Sequence, residues 1–236
     1  MAWMDEWLFP RRCPVCLDIV TPRGAWICDT CRGGLSPVVQ PSCFRCGRQL
    51  IHTEEEYCSR CQKTGRSFDG GIAGWNYSSV PVRRLISEVK YHNHRQLLDY
   101  PCREMALAYG KKVKGWGIEC LVPIPLHPSK KRRRGFNQAE EIAVRLADVW
   151  GIPIERRMLR RVRRTLPQKE LGEAARLQNL LDAFDADLQI ACRYRCVGLT
   201  DDILTTGSTM EACTRVLKAA GVRQVFCISL SATAGR

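Results

Sequence analysis

The sequence predicts an α/β fold, a parallel sheet with helices on both faces, preceded by a small cysteine-rich module. Two observations carry this. Four CxxC knuckles, Cys13/Cys16, Cys28/Cys31, Cys43/Cys46 and Cys58/Cys61, open the chain, with their first members 15 residues apart each time. After residue 68 such pairing stops, and short apolar runs alternate with stretches of helical periodicity, the pattern of successive βα units. The expected organisation is therefore a module over residues 1–67 and an α/β domain over residues 68–236.

The whole chain sets bounds on this reading. Its 236 residues suffice for one good core and one small module. Hydrophobic residues make up 45% and charged residues 26%, which describes a soluble globular chain, and no apolar run approaches the length of a membrane span. The first dozen residues carry Asp5 and Glu6 and only a short apolar run, which is not the pattern of a secretory leader. A reducing cytoplasm and no membrane insertion are expected.

Two CxxC knuckles make one tetrahedral four-cysteine site, so four knuckles predict two zinc sites. A disulfide framework belongs to oxidising compartments, and nothing in the sequence points to export. Ribbon geometry favours consecutive pairing, first knuckle with second and third with fourth. His52 lies between the last two knuckles but is superfluous to eight cysteines. Gly24, Gly33, Gly34 and Gly47 are expected to supply tight turns. Residues 11–66 hold no sizeable apolar run, so metal is expected to provide most of the folding free energy there.

In the second part, residues 71–77 read as a strand. Val82, Leu85, Ile86 and Val89 then trace a helix face behind Pro81, and Leu98, Cys102, Met105 and Tyr109 trace the next, expected to stop at Gly110. His92 and His94 lack the partners of a metal site. Residues 120–125 form a buried strand that leaves its sheet at Pro123 and Pro125. A basic crossover over residues 129–138 follows, then a helix with Ala139, Ile142, Ala143, Leu146 and Val149 inward, ending at Gly151. Residues 163–184 read as a long loop, interrupted at most by a short helix over residues 173–181, and residues 224–230 as a last strand. Cys102, Cys120, Cys192, Cys196, Cys213 and Cys227 mostly fall on apolar faces, as inert thiols do.

The net charge is +13, and its distribution matters more than its total. Residues 129–176 hold 14 basic and 6 acidic side chains, a net +8 in one window. Such a run is commonly a solvated face, and it also suits polyphosphate or nucleic acid.

The stretch over residues 196–210 is an apolar strand, two adjacent carboxylates, then a hydroxyl-rich turn at the start of a helix carrying Met210, Cys213, Leu217 and Ala220. Unpaired amides and the positive end of the helix dipole suit an anion there. Gly207 frees the backbone, Thr205, Thr206, Ser208 and Thr209 offer hydroxyls, and Asp201 and Asp202 can accept from sugar hydroxyls or a magnesium-bound water. A Walker B element would need a GxxxxGK[ST] loop, which the sequence lacks. The residues fit a phosphorylated ribose. Because open parallel sheets bind ligands at the carboxyl ends of their strands, the turn and the basic crossover are expected to face one crevice.

The stretch from Asp201 to Thr209 resembles the signature of type I phosphoribosyltransferases. Together with the four knuckles, the run from Val122 to Leu126 followed by Arg134, Gly135, Phe136, Asn137 and Gln138, and the series Arg163, Thr165, Gln168, Leu171, Arg176, Asn179 and Phe184, the chain resembles the ComF family of competence and DNA-utilisation proteins nearly throughout. That resemblance implies a type I phosphoribosyltransferase-like domain with an N-terminal double zinc ribbon. It further implies that Asp201 and Asp202 serve the ribose hydroxyls and the magnesium shell as catalytic-site carboxylates. Thr205, Thr206, Gly207, Ser208 and Thr209 would hold the 5-phosphate of phosphoribosyl pyrophosphate, and Leu126 would mark the pyrophosphate loop; the charge and position of Arg134 and its neighbours suit them to the pyrophosphate itself. Thr200 departs from the apolar residue usual before the acidic pair, which is tolerable if its hydroxyl bonds to backbone. Phosphoribosyl transfer with pyrophosphate release is one expectation. The other is a non-catalytic protein handling single-stranded DNA, with that site vestigial or regulatory and single-stranded DNA or a DNA-uptake helicase as partner.

Overall fold

The computed structural model describes residues 10–162 and 179–234. Strands, numbered along the chain, are β1 (Gly70–Asn76), β2 (Cys120–Pro123), β3 (Leu159–Arg161), β4 (Phe184–Ala186), β5 (Cys196–Leu204) and β6 (Gln224–Ala232). Helices are α1 (Ser59–Thr64), α2 (Val80–His92), α3 (Asp99–Trp116), α4 (Pro128–Arg134), α5 (Gln138–Trp150), α6 (Leu188–Ala191) and α7 (Ser208–Ala219). Four strands form one parallel sheet in the order β1-β6-β5-β2. Cys120 lies beside Val197 and Pro123 beside Thr200, so β2 and β5 start together and β5 runs on past the end of β2 to carry Asp201 and Asp202. A parallel bridge from Leu121 to Ile154 extends the sheet past β2, while β3 and β4 form a separate antiparallel pair.

Side chains alternate between the two faces of the sheet, as the strand period requires. Leu121, Phe226 and Ile228 join one core with Val82, Leu85 and Ile86 of α2, Met105 of α3 and Ile142 of α5. Val122, Val197, Leu199 and Cys227 join the other with Met210, Cys213 and Leu217 of α7. Helices thus cover both faces.

The cysteine module straddles the β1 edge. Val38 N–H donates to the Gly74 carbonyl and Asn76 N–H to that of Ser36, so residues 36–38 add an antiparallel edge to the sheet. On one side Cys13, Val20, Ile27, Cys28 and Leu35 enter the α2/α3 core. On the other, Val38, Cys43, Cys46, Leu50 and Cys58 enter the α7 core. Scattered apolar residues that cannot build a core alone therefore complete two larger ones, and burial of apolar surface adds to whatever metal contributes.

Several elements differ from the sequence-based expectation. Helix α3 passes through Gly110, because its buried stripe of Met105, Ala106 and Val113 continues and a helical glycine costs only about 1 kcal/mol. It stops at Gly117, which is left-handed. Val149 of α5 is 42% exposed rather than inward. The basic crossover is a helix, α4, with Pro128 in its first turn and the His127 ring accepting from Ser129 N–H. Gly33 and Gly34 lie in a short 3-10 helix (Asp29–Gly34), not in left-handed turns. Cys192 is exposed, whereas Cys102, Cys120, Cys196, Cys213 and Cys227 are buried. The Arg163, Thr165, Gln168, Leu171 and Arg176 positions lie outside the described residues. Among the described residues no helix is long and apolar enough to cross a membrane.

Candidate functional site

The sheet edge at the carboxyl ends of β2 and β5 collects the polar residues. Asp201 and Asp202 are the last polar residues of β5, and the 205–207 turn leads directly into α7 with Gly207 left-handed at φ 79°, a conformation that favours glycine. Thr200, fully buried just before the pair, donates to the Ala139 carbonyl at 3.2 Å. In the turn, the Thr206 and Ser208 hydroxyls are 3.0 Å apart and Ser208 N–H reaches Thr206 Oγ1 at 3.3 Å.

Across the edge, the loop after β2 carries Leu126 into α4. Asn137 fixes that loop at both ends, donating to the Ile124 carbonyl at 2.9 Å and capping α5 through Ala139 N–H at 3.2 Å. Arg134, the last residue of α4, stacks over the Tyr91 ring. Burial lowers its pKa, and the charge of Asp202 opposes that, so the guanidinium and the carboxylate sense one another across the crevice.

Two cations were not singled out by sequence reasoning. Lys90 of α2 places Nζ 2.5 Å from Asp202 Oδ2, with both side chains mostly buried. Lys130, exposed on α4 but partly desolvated, is held below the ordinary lysine value by that desolvation first and then by the charges of Arg161, Arg134, Arg133 and Lys90. The charge of Arg161, on β3, thus lies near enough to act on Lys130. Lys90 ends an amphipathic helix and Arg161 sits in an arginine-dense run, so only the tertiary arrangement sets them apart from solvated neighbours.

Asp201 keeps part of its surface open, and its Oδ1 accepts from Asp202 N–H at 2.8 Å. Burial, then the charge of Asp202, still pushes its carboxyl from 3.8 up to about 8. Two adjacent carboxylates beside Lys90 and Arg134, with the charges of Lys130, Arg133 and Arg161 close by and a helix N-terminus at the turn, form a site for a polyanion that also has hydroxyls or a hard cation to offer.

Behind the turn lies the cysteine module. The Cys43, Cys46, Cys58 and Cys61 sulfurs all lie within 4.8 Å of one another. Hydrogen bonds from Cys46, Cys58 and Cys61 drive the Cys43 thiol far below its ordinary value, while contacts with Cys43 first, then Cys46 and Cys58, drive Cys61 up. Sulfurs this close can all ionise only around a cation, and four of them suit tetrahedral zinc. In the other half Cys13, Cys16 and Cys31 cluster likewise. The Cys28 sulfur is turned toward Thr21 N–H, at 3.4 Å, and the Ile19 carbonyl, at 3.9 Å, and does not join the three. The two halves repeat in detail. Leu17 N–H bonds the Cys13 carbonyl as Gly47 N–H bonds that of Cys43, and Leu17 and Gly47 have φ of 71° and 74°.

Residues 4–62 match the family described as double zinc ribbon domain. Competence protein F of Haemophilus influenzae is 29% identical over 225 residues, covering 92% of this chain and 95% of that protein. The DNA utilization protein YhgH of Escherichia coli K12 is 26% identical over 211 residues, 87% and 91% of the two chains. The competence protein ComFC of Bacillus subtilis is 24% identical over 200 residues, 81% and 77% of the two.

Proposed function

We propose, taking as premise a chain homologous over most of its length to competence protein F, ComFC and YhgH, that it acts in competence or DNA utilisation and binds magnesium-bound phosphoribosyl pyrophosphate. The observation that carries the ligand is the meeting of Lys90 and Arg134 with Asp202, where the acidic pair runs into the Thr206–Ser208 turn, with the charges of Lys130, Arg133 and Arg161 adjoining those two cations. In this reading the turn amides and hydroxyls take the 5-phosphate. Asp201 and Asp202 accept from the ribose hydroxyls, and the loop at Leu126 with Arg134 takes the pyrophosphate by charge-assisted bonds. Magnesium would be held by the ligand's oxygens and the Asp201–Asp202 pair, where Lys90 now supplies the positive charge; it would neutralise the pyrophosphate. Loss of pyrophosphate from the sugar carbon needs no protein nucleophile, only positioning and charge.

The double substitution Asp201→Asn with Asp202→Asn is expected to reduce calorimetric affinity for phosphoribosyl pyrophosphate by about two orders of magnitude, the loss of charged acceptors for two hydroxyls. Unchanged affinity would remove the assignment. The wild type carries a further signature. Its Asp201 pKa is raised, so the folded protein holds a proton that the unfolded chain has lost; this contribution to stability falls as pH rises from 3.8 to about 8 and is level above. A ligand that needs the carboxylate therefore expels a proton at pH 7. Affinity should rise toward pH 8, and the binding heat should depend on the buffer's ionisation enthalpy.

A second reading, single-stranded DNA handling, draws on α4. Lys130, Lys131, Arg132 and Arg133 are exposed along it beside the same crevice. Exchanging Arg132, Arg133 and Arg134 for glutamine is expected to weaken single-strand binding uniformly across sequences and to flatten its salt dependence by about one unit of slope per lost phosphate contact. No wild-type binding at low salt would eliminate it.

A further inference from the structure

The carbonyls of the turn are held from behind by the cysteine module. Thr205 O accepts from Arg48 Nη2 at 2.9 Å and from Arg60 Nη1 at 2.8 Å, and Thr206 O accepts from Arg66 Nη2 at 2.7 Å. Carbonyl and amide of a peptide point in opposite directions, so guanidiniums that fix the carbonyls on one side present the amides to the other. Of the three guanidiniums, it is that of Arg48 that also donates to a cluster sulfur. Arg48 is 2% exposed. Its Nε donates to Cys46 Sγ at 3.2 Å, and its Nη1 to the Thr233 carbonyl at 3.2 Å. The equivalent residue of the first ribbon, matched by Cys13 N–H to Asp18 O as Cys43 N–H to Arg48 O, is the exposed Asp18.

We propose that Arg48 is a positioning residue coupling the second four-cysteine site to the ligand turn, so that metal bound at Cys43, Cys46, Cys58 and Cys61 and an anion bound at residues 205–209 strengthen one another. A hydrogen bond to a metal-ligating sulfur orients that ligand, and the same planar guanidinium orients the Thr205 carbonyl. Displacement at either end is transmitted through one rigid fork. Coupling between sites is reciprocal, so the factor by which zinc tightens the anion is the factor by which the anion tightens zinc. The second half of the proposal rests on the ligand reading above; the mechanical link does not.

The test uses the full-length, zinc-loaded protein and local hydrogen exchange. Arg48→Lys keeps the buried charge and loses the fork. It is expected to speed amide exchange at residues 204–209 by about tenfold without ligand, with far segments such as α3 unchanged; wild-type exchange there would overturn the link. In the wild type, phosphoribosyl pyrophosphate should also slow exchange at residues 43–48 and slow zinc release to a chelator. In Arg48→Lys the first effect should vanish, whereas Arg60→Gln, which loosens the turn without touching a cysteine, should bind ligand more weakly and retain it. Ligand-induced protection at 43–48 that persists in Arg48→Lys would overturn the coupling. If wild type binds no phosphoribosyl pyrophosphate, the ligand reading fails by itself, and the exchange difference at 204–209 still decides the link.

Discussion

Replacing Cys46 with serine is expected to unfold more than the cysteine module. The substitution leaves three thiols in a site that needs four, and structural zinc in such sites is worth on the order of 10–16 kcal/mol. Were the module an independent appendage, that loss would stay within it. Cys43, Cys46, Leu50 and Cys58 instead share a core with Met210, Cys213 and Leu217 of α7, and Ser67 bonds the buried Glu211 of the same helix through N–H at 2.8 Å and hydroxyl at 2.7 Å. One cooperative transition at a much lower temperature, reported alike by near-ultraviolet circular dichroism and by exchange in β5 and β6, is the expected result. Retention of the wild-type transition by the sheet would show that the α/β part stands alone. Chelation should reproduce the effect of the substitution.

Gly47→Ala should approach this severity. A Cβ at residue 47 would lie 2.3 Å from Ile72 Cα and 2.5 Å from its carbonyl carbon, inside β1. Neither backbone can give way without parting the ribbon from the sheet, so a loss of about 3–5 kcal/mol in chemical denaturation is expected. Gly24→Ala separates the two contributions. Gly24 is also left-handed, at φ 83°, but nothing lies within 4 Å of a Cβ there, so only the backbone penalty of about 1 kcal/mol applies. Leu17, which takes the position of Gly47 in the first ribbon at φ 71°, shows that the knuckle turn itself accepts a side chain. Equal losses in the two variants would refute close approach as the reason for glycine at 47.

Much of this architecture is legible without coordinates. The face of α2 follows from periodicity, with Val82, Leu85, Ile86 and Val89 all buried, and so do those of α5 and α7 except at their C-terminal ends, Val149 and Ala220. Where local signals misled, a competing local effect was responsible. Gly110 reads as a stop but lies within a helix whose packing outweighs its propensity, and residues 129–134 read as a charged crossover but are helical because His127 and Pro128 start a turn.

By itself the sequence determined the knuckle repeat, the strand–helix alternation and the acidic pair before a hydroxyl-rich turn, because these depend on neighbours within a few residues. Only the tertiary structure decided that the ribbon lies against the turn. Arg48 and Thr205 are joined by one guanidinium across a separation of 157 residues, and Lys90 meets Asp202 with β2, β3 and β4 between them in chain order. Such pairings arise from packing two cores around one sheet edge, where the cost of burying a charge is offset only by the particular partner that packing supplies. No local pattern in the chain encodes which partner that is.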